Sequence, residues 1–162
     1  MWANIAKIFG SSDPTGKMTH ELNEMLRITR EMAEIIRPHL MENSLSLEER
    51  RRVYKMDIQV NRLERSVRKR VITHLSTSRG HINYCLLMMS MVKDAERIGD
   101  YLKNVTEVSE LGGSAVPEGE LRDELADLIG VAHMLFEKTP TILDSQDTEV
   151  AMQAIEEGRA AN

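Results

Sequence analysis

The stretch Val92-Lys-Asp-Ala-Glu96-Arg-Ile-Gly-Asp100-Tyr-Leu-Lys-Asn104-Val-Thr-Glu107 lies in the second half of a helical run that begins near Ile82. Successive side chains on an α-helix are about 100° apart, so Cys85, Met89 and Val92 share one direction and form the centre of an apolar stripe. Extended further, that stripe predicts Glu96, Asp100 and Glu107 as its next members. Carboxylates therefore stand where hydrophobic side chains are expected. An unpaired charge facing inward is very costly, so two acids one turn apart on such a face call for a cation opposite them. Gly99, beside them, carries no side chain and leaves room for close approach by a backbone or a ligand.

Outward from this stretch, the same helix is predicted from about His81 to Leu111. It carries a second apolar side at Tyr84, Leu87, Met91, Ile98, Leu102 and Val105. A helix apolar on two faces belongs at the centre of its fold. The turn Ser76-Thr-Ser-Arg-Gly80 separates it from a helix expected over about Leu47 to Leu75, which the capping box Ser46-Leu-Glu-Glu49 opens. That helix is buried along Val53, Met56, Val60, Leu63, Val67 and Val71. Before it, Met18, Leu22, Met25, Thr29, Met32 and Ile36, widened by Leu26 and Ala33, predict a first helix from about Lys17 to Ile36. Pro38 ends or kinks it. Long helices of about 45 Å joined by short turns predict an all-α, up-down antiparallel three-helix bundle.

After Gly112-Gly-Ser114, Pro117 reads as the first position of another helix. Leu121, Leu125, Leu128, Ala132, Leu135 and Thr139 repeat the stripe, Pro140 interrupts it, residues 144–147 turn, and a fifth helix begins over Thr148 to Glu157. Sliding this segment back by 102 residues sets Leu128 on Leu26, Met134 on Met32 and Pro140 on Pro38. The recurrence predicts the first helices of a second copy. That copy is incomplete, since the counterpart of Asp57 is Arg159 and helix three has no second version. Three segments follow: a leader and loop over 1–16, a three-helix repeat over 17–113, and a partial second repeat over 114–162. In the leader, Trp2, Ile5, Ile8 and Phe9 fall near one face of a short helix. That face either packs on its own domain or meets a partner or a membrane surface.

Bulk chemistry narrows the function. A net charge of −5 and a pI near 5.6 argue against nucleic acid as a partner. The single Cys85 forms no internal disulfide, and no apolar run approaches the roughly 20 residues that span a bilayer. The leader lacks a secretory cleavage site. The expected place is the cytoplasm or its face of a membrane. No nucleophile–base pair or phosphate-binding loop is present, so the chain is not expected to be an enzyme. The ferritin-like di-iron pattern also fails, because no histidine has a glutamate three residues before it.

Two constellations remain. Asp57, Asn61 and Glu64 form an i, i+4, i+7 line on helix two that can face Glu96 and Asp100 across an antiparallel pair. An all-oxygen set suits magnesium, manganese or ferric iron rather than zinc. The alternative is ordinary ion pairing with Lys93 and Lys103, each three residues from one of the acids. The second constellation is the basic face of helix two, including Arg62, Arg65, Arg68, Lys69 and Arg70. It is either a solvated surface or a dock for an acidic partner, anionic lipid or phosphate.

With Asp57-Ile-Gln-Val-Asn61-Arg-Leu-Glu64 in helix two, and Glu96-Arg-Ile-Gly-Asp100 followed by Asn104 and Glu107 in helix three, the chain resembles the PhoU family of phosphate-uptake regulators. The resemblance runs over about 18–111, with 117–157 as the opening of a second repeat. It implies two three-helix repeats with E/D-x-x-x-D lines that bind metal ions, often in clusters. Glu96–Asp100 matches that line, whereas Asn61 stands where an acid is usual and would weaken the other. It also implies a regulator acting on a phosphate transporter and its signalling kinase. Similar domains form cytoplasmic tails of sodium/phosphate cotransporters, so association with a membrane protein is a further implication. A longer polypeptide or a neighbouring copy in a homo-oligomer would complete the bundle.

Overall fold

The computed structural model describes residues 14–78, 80–145 and 148–160. The apolar leader at Trp2 to Phe9 lies outside them. Five helices follow one another: α1 (Pro14–Ile36), then a 3-10 turn at Arg37–His39, α2 (Leu47–Thr77), α3 (Ile82–Glu110), α4 (Glu120–Ser145) and α5 (Thr148–Ala160). No strand occurs among the described residues. Helices α1, α2 and α3 each pack against the other two, giving the all-α up-down bundle that the apolar periodicity predicts. α4 lies along α1, and α5 folds back on α4.

Local chemistry sets the helix ends. The Ser46 side chain accepts from the Glu49 backbone N–H while Glu49 accepts from the Ser46 N–H at 2.9 Å, so the predicted capping box forms in full. Pro38 sits in the 3-10 turn that closes α1. α1 starts at Pro14, three residues earlier than its apolar pattern indicates, because a proline suits a first helical turn. Pro117 does not start α4. The Val116 N–H donates to the Met41 carbonyl at 2.8 Å, and Arg122 bonds the Val116 carbonyl and pairs with Glu42, so this connector is tied to the α1–α2 loop and α4 opens at Glu120. Pro140 does not end α4 either, and the helix runs through it to Ser145. One proline removes one N–H bond, which does not end a helix of 26 residues.

The α1 stripe is buried as read: Met18, Leu22, Met25, Thr29, Met32 and Ile36 are all shielded from solvent. On α2, Val53, Met56, Val60, Val67 and Val71 are buried, but Leu63 is half-buried while Glu64 is buried. On α3 the buried line is Cys85, Met88, Val92, Ala95, Gly99 and Thr106. This corrects the reading that sends the stripe through Glu96, Asp100 and Glu107. An alternating 3-4 spacing tracks a straight helix face, whereas repeated steps of four rotate off it by about 40° each. Leu87, read as part of the second apolar side, is 57% exposed. The small residues Ala95 and Gly99 let all three helices close together. A side chain begun at Gly99 would lie 3.6 Å from both Thr29 Cγ2 and Val60 Cγ1, so its nearest neighbours are core side chains rather than the backbone of another helix.

Candidate functional site

The antiparallel register of α2 and α3 is fixed by contacts that recur about once per turn. Arg50 pairs with Glu110 at 3.3 Å, the Tyr54 hydroxyl donates to Glu107 at 3.1 Å, and Lys103 Nζ lies 3.9 Å from Asp57 Oδ2. The same register carries Glu64 to the level of Glu96. The two acidic lines therefore meet along one edge of the core, one residue round from its centre. Side-chain exposure is 10% for Asp57, 11% for Glu64 and 13% for Glu96, but 39% for Asp100.

Burial pushes the Asp57 carboxyl above the usual carboxylate range. The Asp100 and Glu96 carboxylates push the same way, against the pull of the Lys103 ammonium. Its Oδ1 is buried with no hydrogen-bond partner. Lys103 donates to Asp100 at 3.0 Å, and this bond, with Asp57 and Glu107 nearby, holds the ammonium above its ordinary value. Lys93 bonds Glu96 at 2.5 Å, and Arg68 bonds Glu64 at 2.6 Å. The intrahelical pairs foreseen from spacing are thus present, and Lys103 does more, because it reaches across to a second helix. Asn61 is half-buried, with its Nδ2 donating to the Asp57 backbone carbonyl at 3.1 Å. Burial of the phenol, with the Glu107 carboxylate it bonds, holds the Tyr54 hydroxyl above its ordinary pKa.

The seam thus gathers Asp57, Asn61 and Glu64 from α2 against Glu96 and Asp100 from α3. Among the described residues, no three histidines, cysteines or carboxylates stand close enough to hold an ion as they are. The positive charge nearest Asp57 is the Lys103 ammonium. All five side chains offer oxygen donors, which is the chemistry of a hard cation. Lys103 was the residue that spacing left in a minor role. Its signal lies in its position between Asp100 and Glu107 on a helix turned toward acids.

The basic residues of α2 divide into two groups. Arg68 is paired with Glu64, and Arg70 Nε donates to both Glu21 oxygens at 3.0 Å, with Ser66 bonding the same carboxylate. Arg62, Arg65 and Lys69 are exposed, and Arg65 Nε donates to the Asn61 backbone carbonyl. No helix among the described residues is long and apolar enough to cross a membrane.

A PhoU domain family model matches residues 22–109, more than half of the chain and the whole acidic seam. The phosphate-specific transport system accessory protein PhoU homolog of Deinococcus radiodurans is similar to it, at 27% identity over 94 residues. That match covers 58% of this chain and 43% of the relative, so the chain spans less than half of the relative's length. No solved structure matches the chain.

Proposed function

This chain belongs to the PhoU domain family, and on that premise we propose that it is a non-enzymatic regulator of phosphate transport whose α2–α3 seam binds a cation. The supporting observation is the Asp57 carboxylate, nine-tenths buried, with Oδ1 unpartnered, beside Asp100 and Glu96. An orphaned buried oxygen of this kind costs free energy that an entering cation removes. Asp57, Asn61, Glu64, Glu96 and Asp100 would hold it, with Lys103 giving way. The donor set favours magnesium, manganese or iron. Asn61, being neutral, makes the α2 side of the seam weaker than the α3 side. A bound metal ion supplies charge that ties α2 to α3. The chain's own residues set how firmly, through the burial of Asp57 and the ion pairs of Lys93 and Arg68.

The partners in this reading are a phosphate transporter or its signalling kinase at the cytoplasmic side of a membrane. Self-association of the chain belongs to the same proposal, with light scattering as its readout. The test of the cation is direct: purify the chain without chelator, measure its metal content by mass spectrometry, and repeat with Glu96→Ala/Asp100→Ala. The wild type retains metal and the variant loses most of it. Equal content in both proteins removes the seam as the site.

A second reading is favoured by one observation, the exposure of Arg62, Arg65 and Lys69 on a single helix. In it the chain is a metal-free adaptor that docks an acidic partner or a membrane transporter through Arg62, Arg65, Arg68, Lys69 and Arg70. Reversing Arg62 and Arg65 then abolishes partner capture, while the carboxylate changes leave it intact.

A further inference from the structure

We infer that the flank of α2 facing α1 carries a separate anion site, for a small ligand bearing several phosphate groups and no aromatic base. A cavity of about 500 Å³ opens between the start of α1 and the last turns of α2. Lys17 contributes from α1; Lys69, Arg70 and His74 contribute from α2, with hydroxyls of Ser66 and Thr73 between them. The ammonium groups of Lys17 and Lys69 have no hydrogen-bond or ion-pair partner among the described residues. Glu21, largely buried, grips Arg70 through Nε alone and so fixes the guanidinium while leaving its two terminal nitrogens uncommitted. Three cationic groups thus border one cavity; Arg70 is paired with Glu21 behind it, and Lys17 and Lys69 are not.

The walls decide the ligand class. Every lining side chain is polar, and none is a carboxylate, an aliphatic or a benzenoid ring. The apolar part of the wall is the methylenes of Lys and Arg and the methyls of Thr, so a nucleobase would find no aromatic surface beyond one imidazole. The hydroxyl protons are also committed elsewhere, Ser66 to Glu21 and Thr73 to the Lys69 carbonyl. A neutral sugar would therefore meet few donors, and binding must come from the cations. Lysine ammonium groups act as mobile point charges suited to phosphate oxygens. The cavity holds about sixteen water volumes, well beyond one phosphate group. Several phosphates in one ligand match both the charge and the room. The site lies on the flank of α2 opposite the acidic seam, its centre about 10 Å along the axis from Glu64 and about 20 Å from Asp57.

The test is calorimetric titration of the full, metal-stripped chain with sodium tripolyphosphate, orthophosphate and ATP. Tripolyphosphate is expected to bind more tightly than orthophosphate or ATP. Lys17→Ala/Lys69→Ala is expected to weaken tripolyphosphate binding by about tenfold or more. Arg51→Ala/Lys55→Ala, at exposed positions on the same helix but outside the cavity, is expected to leave it within about twofold. Absence of tripolyphosphate binding, equal losses in the two double variants, or tighter binding of ATP would each overturn the inference. Lys69→Gln alone, at an exposed side chain, gives the same reading should the double variant fail to fold.

Discussion

Gly99 lies in the core and Asp57 at its edge, about one turn apart along the bundle, and substitution at each is expected to stabilise the fold for a different reason. A glycine inside a helix is destabilising by about 1 kcal/mol relative to alanine. The added methyl would meet Thr29 Cγ2 and Val60 Cγ1 at 3.6 Å, ordinary contact distance. Gly99→Ala is therefore expected to stabilise the chain by up to about 1 kcal/mol in urea unfolding. A marked loss would mean that the three helices approach too closely for any side chain there. Asp57 is a charged group that the fold disfavours. Its folded-state pKa lies above the unfolded value, so the native state takes up a proton first as pH falls. The penalty is present in full above the folded pKa and disappears as pH drops through it toward the unfolded value of about 3.9. In chelator at pH 7, Asp57→Asn should melt above the wild type, and the gap should close near pH 3. Adding the cation should then raise the wild type's melting temperature and leave the variant's unchanged. A wild type that melts above Asp57→Asn in chelator at pH 7 would show Lys103 to be a full counter-charge.

Among the elements, the contrast lies between the first three helices and the last two. α1, α2 and α3 contribute nearly the whole core, whereas Ala154 is the one buried residue among the described positions of α4 and α5. α4 covers apolar side chains of α1 and α3 but leaves spaces of about 130 and 300 Å³ against them. Voids and half-buried contacts hold an element weakly, and local opening free energy follows the buried contact it must break. Amide hydrogen exchange is thus expected to be fast across Glu120–Ser145 and Thr148–Ala160, and slower by orders of magnitude at the centres of α1–α3. Uniform protection through all five helices would contradict that ranking. The ends of these same helices were only partly legible. Ser46 and Glu49 act on each other within one turn, so their capping box reads directly from sequence. Pro117 and Pro140 misled, because the start of α4 depends on the Val116–Met41 bond, and one lost N–H bond at Pro140 does not end the helix.

For the molecule as a whole, short-range periodicity determined most of the architecture. The 3-4 spacing of Met18 through Ile36 and of Val53 through Val71 settled which elements form, that they are helical and which residues point inward, because each such interaction lies within a turn or two of one chain. The acidic line of α3 was legible as an anomaly for the same reason. Only the tertiary structure decided what the acids face. The rotation of α3 placed Ala95 and Gly99 in the core and moved Glu96 and Asp100 to its edge, a difference of one position that repeated four-residue steps blur. Asp57 meets Lys103, Glu21 meets Arg70, and Lys17 shares a cavity with Lys69. Each pair joins two helices at separations where no local rule operates, and small changes in helix phase and register determine which charges meet.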